Sequence, residues 1–301
     1  MNQIKLNKFN PMILEKKRRE GHAPICVFLG KRGTGKSVLV QDILYHFTEI
    51  PAVLCMSGTE EGNGFYSKHI HDIYIYPSYN SDVISAVINH QKKIVKGYSD
   101  NGQNPKDHPE IGIGILMDDL AYDKKMMSDP GIKEIFFNGR HYHITTMITF
   151  QYMMALAPQF RTNVDYVFVC RDNKRDNIKR LYEYFFGCFD TFDDFKKVFY
   201  ACTNDYGCLV LDNTAKSTKI EDQVFWYKAK PDRKFKIGSS EMWKIWDRQL
   251  KDRHEHEEKE ERQVMSKSSI KLTRLGPKKV ELNNQESQYD DDIDDYVDEY
   301  R

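Results

Sequence analysis

Short apolar runs alternate with amphipathic and polar segments through most of this 301-residue chain. Compact apolar runs predict strands, and runs with apolar positions every three or four residues predict helices. The predicted strands are Pro24–Leu29, Pro51–Met56, Asp72–Tyr76, Ile111–Met117, Thr145–Phe150, Asp165–Cys170, Cys208–Leu211 and Gln223–Tyr227. The predicted helices are Val38–Phe47, Asp82–Tyr98 with Ser81 as its cap, Ile132–Arg140, Lys174–Phe186 and Phe192–Tyr200. This order is typical of an α/β fold with a mostly parallel central sheet flanked by helices, and the last two strands predict a hairpin beside that sheet.

The composition changes at both ends of this alternating region. Residues 1–23 are rich in lysine and arginine and predict either an arm along a neighbouring molecule or a solvated lead-in. Residues 24–238 form the predicted main domain. Residues 239–265 predict a charged C-terminal helix whose start carries Trp243 and Trp246, which we expect to dock on the domain. Residues 266–301 change from basic to acidic, which is typical of a disordered tail.

The bulk composition argues against a polycation and against a membrane-spanning protein. Lysine plus arginine and aspartate plus glutamate number 45 each, so any contact with nucleic acid has to come from local patches. No apolar run approaches the roughly 18–20 residues of a membrane helix. The first residues lack the apolar core and cleavage site of a signal peptide, so we expect a protein that is not secreted. The six cysteines include no C-x-x-C pair, which favours reduced thiols.

The motif G-x-x-x-x-G-K-S lies between the first predicted strand and the first predicted helix, at Gly30–Ser37. A phosphate-binding P-loop requires this strand–loop–helix context. Glycines let backbone N–H groups turn toward an anion, and the helix N-terminus adds its dipole. We expect Lys36 to reach the β- and γ-phosphates of a nucleotide and Ser37 to ligand Mg²⁺. The predicted nucleotide-binding residues are Gly30, Lys31, Arg32, Gly33, Thr34, Gly35, Lys36, Ser37 and Val38.

Two adjacent carboxylates follow a later apolar strand. Asp118 and Asp119 come directly after Ile111–Met117. A buried strand delivers such residues to its carboxyl end, where α/β sheets bind ligands. We expect Asp118 to hold hydrated Mg²⁺ and Asp119 to polarise the attacking water. The sequence therefore predicts an enzyme that hydrolyses a nucleoside triphosphate.

The chain also contains a guanine-recognition motif. Asn173–Asp176 reads N-K-x-D and follows a predicted strand, which would indicate a GTPase. A GTPase needs D-x-x-G after its acid, whereas Leu120 and Ala121 follow Asp119. Roughly 80 residues separate Lys36 from Asp118, which leaves room for an additional strand–helix unit between the two motifs. An ATPase is therefore favoured, and a GTPase stays as the less favoured alternative.

Three histidine pairs have the alternate spacing that sometimes marks a metal site. No cysteine or carboxylate accompanies them in a fixed pattern, so they do not predict zinc. The pairs are His69/His71, His141/His143 and His254/His256.

Several segments together resemble the DNA-packaging ATPases of large cytoplasmic DNA viruses, of the poxvirus and giant-virus type. These belong to the FtsK–HerA superfamily of P-loop NTPases, and the resemblance spans roughly residues 20–230. The segments are the P-loop, I-L-M-D-D-L, N-G-R-H-Y-H-I (138–144), T-T-M-I-T-F-Q (145–151) and F-R-T-N-V-D-Y-V-F (160–168). The resemblance implies an additional-strand, RecA/FtsK-like fold. It also implies an ATP-driven motor that threads double-stranded DNA into a capsid.

The resemblance also implies roles for individual residues. Gln151 matches the polar residue that senses the γ-phosphate or positions water. Arg140 matches the arginine that reaches from one subunit into its neighbour's site, and Arg161 is the alternative finger. Many members of the superfamily carry glutamate where this chain has Asp119, so the shorter side chain needs the water closer or a different partner. The implied catalytic set is Lys36, Asp119, Gln151 and Arg140.

The implied partners are double-stranded DNA, further copies of the chain in a ring (a hexamer or a pentamer) and a capsid or vertex protein. The implied location is the host cytoplasm, at the viral factory, and the virion. Candidate DNA-contacting loops are Ser57–His71, Lys92–Lys106 and Tyr122–Lys133, since such a motor grips the phosphate backbone. Their lysines are Lys92, Lys93, Lys96, Lys106, Lys124 and Lys125. The alternatives are an ATPase that remodels protein and a scaffold that binds ATP without turnover.

Overall fold

A computed structural model of the chain describes residues 5–47, 49–120, 126–252, 255 and 259. Its strands form a nine-stranded sheet. The strands are β1 (Asn7–Lys8), β2 (Ile25–Leu29), β3 (Val53–Ser57), β4 (Ile75–Tyr76), β5 (Ile113–Asp118), β6 (Ile144–Phe150), β7 (Tyr166–Val169), β8 (Gly207–Asp212) and β9 (Val224–Lys228). The helices are α1 (Met12–Arg19), α2 (Lys36–Leu44), α3 (Glu60–Asn63), α4 (Ser81–Asp100), α5 (Pro130–Asn138), α6 (Pro158–Arg161), α7 (Arg175–Tyr184), α8 (Phe192–Cys202) and α9 (Ile220–Gln223).

The sheet has the order β1-β9-β8-β7-β2-β6-β5-β3-β4. Its paired strands are parallel except for β8, which is antiparallel to both β7 and β9. Strand β6 lies between β2, which leads into the P-loop, and β5, which ends in Asp118. This inserted strand confirms the additional-strand α/β fold. It also brings the carboxyl ends of β2, β6 and β5 to one edge of the sheet, where the predicted site residues follow.

The central strands are buried on both faces, which explains why they are continuous apolar runs rather than alternating ones. In β2, Ile25, Val27 and Leu29 belong to one apolar core, while Cys26 and Phe28 belong to the other. Helices α4, α5, α7 and α8 contribute to the first core. Helices α1 and α2 contribute to the second. The P-loop therefore leaves a strand that is held from both sides.

The basic N-terminal segment is part of the domain, so the prediction of an arm or a solvated lead-in is wrong for its described residues. Strand β1 pairs with β9 at the edge of the sheet. In α1, Leu14 and Arg18 are buried. Arg18 Nε donates to Glu15 Oε2 at 2.8 Å, and both side chains are 2% exposed. A buried charge is tolerated when it is paired in this way. The excess of lysine and arginine in this segment therefore did not exclude a packed helix.

Two further predictions need correction. Strands β8 and β9 pair as predicted, but they extend the main sheet instead of lying beside it, since β8 also pairs with β7. Asn80, rather than Ser81, caps α4, because the Asn80 side chain accepts the N–H of Val83 at 3.1 Å. Ser81 Oγ instead donates to Asp129 Oδ2 at 2.6 Å.

The start of the charged C-terminal helix docks on the domain as predicted. The helix begins at residue 240. Trp246 is 6% exposed, and its ring meets Tyr74 edge-on at 5.0 Å. Trp243 Nε1 donates to the carbonyl oxygen of Ile237 at 2.7 Å. The predicted tail at 266–301 lies outside the described residues. Among the residues that are described, no helix combines the length and apolar character needed to cross a membrane.

Candidate nucleotide-binding site

The P-loop Gly30–Ser37 connects β2 to α2 and has the backbone geometry that its glycines allow. Gly33 and Gly35 have φ values of +78° and +87°, a region that side chains with a Cβ rarely adopt. Thr34 Oγ1 donates to the carbonyl oxygen of Lys31 at 2.7 Å. Lys36 Nζ lies within the loop, 3.2 Å from the same oxygen. The lysine and the N-terminus of α2 thus face the position where a phosphate would be held.

Asp118 lies at the end of β5, next to the P-loop serine. Ser37 Oγ is 3.4 Å from Asp118 Oδ2, although 81 positions separate the two residues in the chain. Asp118 is 3% exposed, and other hydroxyl groups approach both of its oxygens. Tyr66 donates to Oδ2 at 2.7 Å, and Thr149 donates to Oδ1 at 2.7 Å. The structure therefore brings the two predicted Mg²⁺ ligands together and holds the carboxylate in one orientation.

Asp119 is less buried than Asp118 and pairs with Gln151. Gln151 Nε2 donates to Asp119 Oδ1 at 2.8 Å. Asp119 has a φ of +53°, which is a strained value that persists where the surroundings enforce it. Here the Asp119 N–H donates to Thr149 Oγ1 at 3.0 Å. Thr149 therefore links the Asp118 carboxylate to the backbone of Asp119, since its hydroxyl donates to the carboxylate and accepts the Asp119 N–H.

An ion pair fixes the first half of the P-loop to the neighbouring strand. Lys31 Nζ lies 2.6 Å from Asp172 Oδ1, beyond the end of β7. The Lys174 N–H donates to the same carboxylate, and so does Asn177 Nδ2. Burial by itself would raise the pKa of Asp172, but these hydrogen bonds, the one from Lys31 foremost, lower it overall. The loop is therefore anchored by a carboxylate that is ionised at neutral pH.

The donor set suits Mg²⁺, which prefers oxygen ligands. The Ser37 hydroxyl and the Asp118 carboxylate supply oxygens from opposite sides of one small space. Tyr66, which is 1% exposed, donates to the same carboxylate oxygen that faces Ser37, and Thr149 donates to the other oxygen. Ser37 and Asp118 are therefore the residues that would hold the ion.

Arg140 lies away from this site. It belongs to the short 3₁₀ turn Gly139–Tyr142 that precedes β6, whereas Gln151 follows the other end of that strand. A strand of this length spans roughly 20 Å. Arg140 is exposed, and it lies within electrostatic reach of Asp165, at the same edge of the sheet. Its role as a finger stays a prediction, which requires a neighbouring subunit.

Arg161, the alternative finger, is engaged within its own chain. Its side chain is 7% exposed. Its Nε donates to the carbonyl oxygen of Leu156 at 3.2 Å, and its guanidinium lies 4.3 Å from the centre of the Tyr184 ring. These contacts fit a packing role.

The lysines predicted for DNA contact lie mainly on α4 rather than on a loop. Helix α4 continues to Asp100, so Lys92, Lys93 and Lys96 are helical. Gln91 of this helix donates to the carbonyl oxygens of Ile111 and Tyr142, which precede β5 and β6. These lysines therefore lie at the edge of the sheet opposite the P-loop, as Arg140 does. Lys106 lies against Gly21, while Lys124 and Lys125 lie outside the described residues.

Three supporting residues escaped the sequence reasoning. Thr149 lies in the quoted strand 145–151, but no pattern assigned it a role. Tyr66 lies in a polar loop, 52 positions before its partner Asp118. Asp172 adjoins the N-K-x-D segment, which drew attention to guanine recognition instead. Thr149 and Tyr66 were missed because both are far from Asp118 in the sequence. Asp172 was missed because the adjacent N-K-x-D motif suggested guanine recognition.

The histidines of the described pairs have other partners. His69 Nε2 lies 2.6 Å from Gln41 Nε2, and His71 Nε2 lies 3.1 Å from Asp247 Oδ1. Burial lowers the pKa of His143. No group of three His, Cys, Asp or Glu side chains suited to a metal occurs among the described residues. His254 and His256 lie outside them.

Comparison with solved structures bears on the fold. The pCW3 conjugation coupling protein TcpA, in a monomer form with ATPγS, matches with a TM-score of 0.50 and 15% identity over 83% of this chain and 75% of that one. The genome packaging NTPase B204 of Sulfolobus turreted icosahedral virus 2, in complex with ATPγS, gives a TM-score of 0.48 and 17% identity over 75% of this chain and 100% of that one. The TcpA match agrees with a P-loop NTPase fold of the FtsK type.

Comparison with known sequences identifies viral relatives. No family model matches the chain. "Uncharacterized protein L437" of Acanthamoeba polyphaga mimivirus is 34% identical over 80% of this chain and 82% of the relative. Proteins of invertebrate iridescent viruses 6 and 3 and of frog virus 3 are 32% or 33% identical over 67–72% of this chain. The chain therefore belongs to the family of large-DNA-virus proteins that includes L437 of Acanthamoeba polyphaga mimivirus.

Proposed function

We propose that this protein is an ATPase that moves double-stranded DNA into a viral capsid. One observation carries the ATPase part of the proposal: Ser37 of the P-loop and Asp118 of β5 face each other at 3.4 Å. Asp119 and Gln151 follow the ends of the adjacent strands β5 and β6 and are hydrogen-bonded to each other at 2.8 Å, which supports a joint role beside the phosphates. One bound triphosphate would therefore contact both motifs.

Each residue has a part in the proposed reaction. Lys36 and the N–H groups of Gly33–Ser37 bind the phosphates, and Ser37 and Asp118 hold Mg²⁺. The bound ion supplies positive charge that offsets the negative charge of the phosphate oxygens. Asp119 orients a water and accepts its proton as the water oxygen bonds to the γ-phosphorus and the bond to the β–γ bridging oxygen breaks. The products are ADP and phosphate.

The pairing of Gln151 with Asp119 fits this reaction. An amide that donates to one carboxylate oxygen holds the other oxygen in a defined direction, toward the water. The shorter side chain of Asp119, compared with the glutamate of many superfamily members, makes this orientation more demanding. The strained backbone at Asp119 is consistent with a residue positioned for function.

Three observations support the DNA-translocation part of the proposal. The relatives are proteins of large DNA viruses. Sequence segments over residues 20–230 resemble the packaging ATPases. Arg140 is exposed at the edge of the sheet opposite its own P-loop, where it can reach a neighbouring subunit of a ring but not its own site. A packaging motor also requires a capsid or vertex protein as its partner. We place both in the cytoplasm of the infected cell.

Turnover assays test the proposal. We expect Mg²⁺-dependent ATP hydrolysis that rises when duplex DNA is added and that is lost in Lys36→Ala. We expect the DNA effect to weaken steeply as salt rises, because phosphate contacts release counterions. Hydrolysis that ignores DNA at every salt concentration would favour a protein-remodelling ATPase. ATP binding without turnover would favour a nucleotide-gated scaffold, and a preference for GTP would restore the GTPase alternative.

A further inference from the structure

An open cleft beside the P-loop has no role in the phosphate chemistry described above. Its volume is about 420 Å³, within the range of small-molecule sites. Gly33 and Thr34 of the P-loop form one wall. Asn173, which follows β7, and the turn Thr203–Gly207, which precedes β8, form the others. The cleft therefore borders the middle of the phosphate-binding loop.

Tyr206 is the most exposed large hydrophobic side chain in the cleft, at 70% exposure. Its φ is +58°, and that of Asp205 is +47°. Two consecutive non-glycine residues in this region are costly, and a bulky side chain there is unusual. The turn enforces this conformation: the Gly207 N–H donates to the carbonyl oxygen of Asn204 at 2.9 Å, and a Cβ on Gly207 would lie 2.3 Å from the carbonyl oxygen of Cys202. The strained turn therefore keeps the Tyr206 ring exposed to solvent.

The ring lies directly against the P-loop. A Cβ built on Gly35 would lie 3.3 Å from Cδ1 of Tyr206, so one edge of the ring contacts the last loop glycine. The rest of the ring is accessible. An aromatic face in this position is suited to stack on a planar heterocycle.

Arg171 orients the polar groups of the cleft. Its guanidinium lies 4.3 Å from the centre of the Tyr200 ring. It donates to Oδ1 of Asn204 at 3.0 Å and to Oδ1 of Asn173 at 3.3 Å. Because both amide oxygens accept from Arg171, the Nδ2 groups are the donors that these two residues retain for a ligand. Uncharged donors around an aromatic face fit a neutral ring that carries acceptor nitrogens.

A second cleft beside α2 is less suitable for such a ring. Its volume is about 590 Å³, and its lining includes Lys68, Lys234 and Lys236. Its two phenylalanine rings already have aromatic partners: Phe235 stacks on His69 at 4.2 Å and 9°, and Phe65 meets Tyr66 edge-on at 5.0 Å. This cleft suits a polyanion better than a neutral base.

We propose that the cleft beneath Tyr206 binds the purine base of the nucleotide, with the base stacked on the Tyr206 ring and its edge facing the Nδ2 groups of Asn173 and Asn204. The inference rests on the proposed function, because it requires the triphosphate to lie in Gly30–Ser37. The N-K-x-D segment then has a role through Asn173 alone, as part of the wall of the cleft.

The test compares ATP, which carries a purine base, with inorganic tripolyphosphate, which does not. Equilibrium binding of ATP and of inorganic tripolyphosphate, both with Mg²⁺, is measured for wild type, Tyr206→Ala and Tyr206→Phe. We expect Tyr206→Ala to weaken ATP binding about 5- to 100-fold, the range for loss of one base stack, and to leave tripolyphosphate binding unchanged. Tyr206→Phe retains the ring and is expected to bind both ligands as wild type does. Ile245→Ala is the control, since Ile245 is also an exposed large apolar side chain and lies on the C-terminal helix, outside the cleft lining.

The possible outcomes separate the two proposals. If wild type binds both ligands and Tyr206→Ala binds ATP with unchanged affinity, the base site is overturned while the proposed function stands. If Tyr206→Ala loses both ligands equally although its circular dichroism is that of wild type, Tyr206 supports the loop instead and the base site is again overturned. If wild type binds neither ligand, the proposed function itself fails, and the base site fails with it.

Discussion

Gln151 Nε2 donates a 2.8 Å hydrogen bond to Asp119 Oδ1 across the ends of two adjacent strands. This contact joins the residue predicted to sense the γ-phosphate to the residue predicted to activate water. It also explains how Asp119 can be held at a φ of +53° with a defined side-chain direction. Asp119, the proposed base, is therefore positioned by the residue that follows the neighbouring strand.

Gln151→Ala removes this positioning hydrogen bond. We expect kcat for ATP hydrolysis to fall about 10²–10³-fold, as for the loss of one precisely placed donor, while ATP affinity changes little. Steady-state turnover and equilibrium binding check both parts. Gln159→Ala, on the exposed surface of α6, is the control and is expected to behave as wild type. A parallel loss of binding and turnover would contradict a role in orienting the carboxylate.

Thr149→Val tests the hydroxyl that links the Asp118 carboxylate to the backbone of Asp119. Valine keeps the shape and removes the hydrogen bonds to the Asp118 carboxylate and from the Asp119 N–H. We expect a higher Mg²⁺ requirement and a lower kcat, because the Asp118 carboxylate loses its orientation and the Asp119 backbone loses its hydrogen bond. A Mg²⁺ titration of ATP turnover measures this.

The same strand offers a matched control for that substitution. The Thr145 hydroxyl is buried and makes no hydrogen bond to the described part of the chain. Thr145→Val is therefore expected to be neutral or stabilising and to leave the Mg²⁺ titration unchanged. Equal effects of the two valine substitutions would mean that strand packing, rather than the Thr149 hydroxyl, controls the site.

Arg140→Ala tests action between subunits. We expect turnover to fall about 10³–10⁵-fold, as for other arginine fingers, with nucleotide binding retained. Mixing Arg140→Ala with the P-loop variant Lys36→Ala is expected to restore part of the activity, since some neighbouring pairs then combine an intact loop with an intact arginine. An inactive mixture would contradict transfer of the arginine between subunits.

Arg161→Ala serves as the comparison for Arg140→Ala. Arg161 is buried and stacks on Tyr184, so its loss is expected to lower the free energy of unfolding by about 1–3 kcal/mol. Partial activity should remain in the folded fraction. A folded Arg161→Ala variant without turnover would make Arg161 the finger.

Asp172→Asn tests the ion pair with Lys31. The pKa of Asp172 is lowered in the folded protein, so the charged form stabilises the fold above the unfolded value of about 3.9. This contribution is lost as the pH falls through the lower folded pKa. We expect the variant to be less stable by about 1–2 kcal/mol at pH 7, with a difference that narrows below about pH 4.

Urea unfolding of both proteins from pH 7 to pH 3 measures that difference. Asp176→Asn is the control, because Asp176 is exposed in the first turn of α7. A stability difference that grew as the pH fell would contradict the assignment of Asp172 as the ionised partner.

The sequence predicted the parts of the site that local patterns encode. The P-loop, the strand ending in Asp118 and Asp119, and the strand ending in Gln151 all have apolar runs that locate them. The spacing between Lys36 and Asp118 predicted room for an additional strand–helix unit, and β3, β4 and α4 lie there. Each of these features is contained in a continuous stretch of chain.

Contacts between distant segments could not be predicted in this way. Tyr66 reaches Asp118 from a polar loop whose own pattern shows no strand or helix, and Arg18 is buried only because Glu15 and the sheet edge surround it. Lys92–Lys106 is predicted as a DNA-contacting loop, although the predicted helix Asp82–Tyr98 already includes its first residues and α4 extends to Asp100. These features depend on tertiary packing, which cannot be predicted from amino-acid composition.

The central claim is that the P-loop and the paired aspartates act on one triphosphate. A single-turnover experiment with labelled ATP and Mg²⁺ tests it through Asp119→Asn, which keeps the shape of the side chain and removes its charge. The account predicts that this variant binds ATP with about the wild-type affinity but leaves it intact, because water activation is lost while Lys36, Ser37 and Asp118 still hold the nucleotide. Conversion of ATP to ADP and phosphate at the wild-type rate by Asp119→Asn would contradict it.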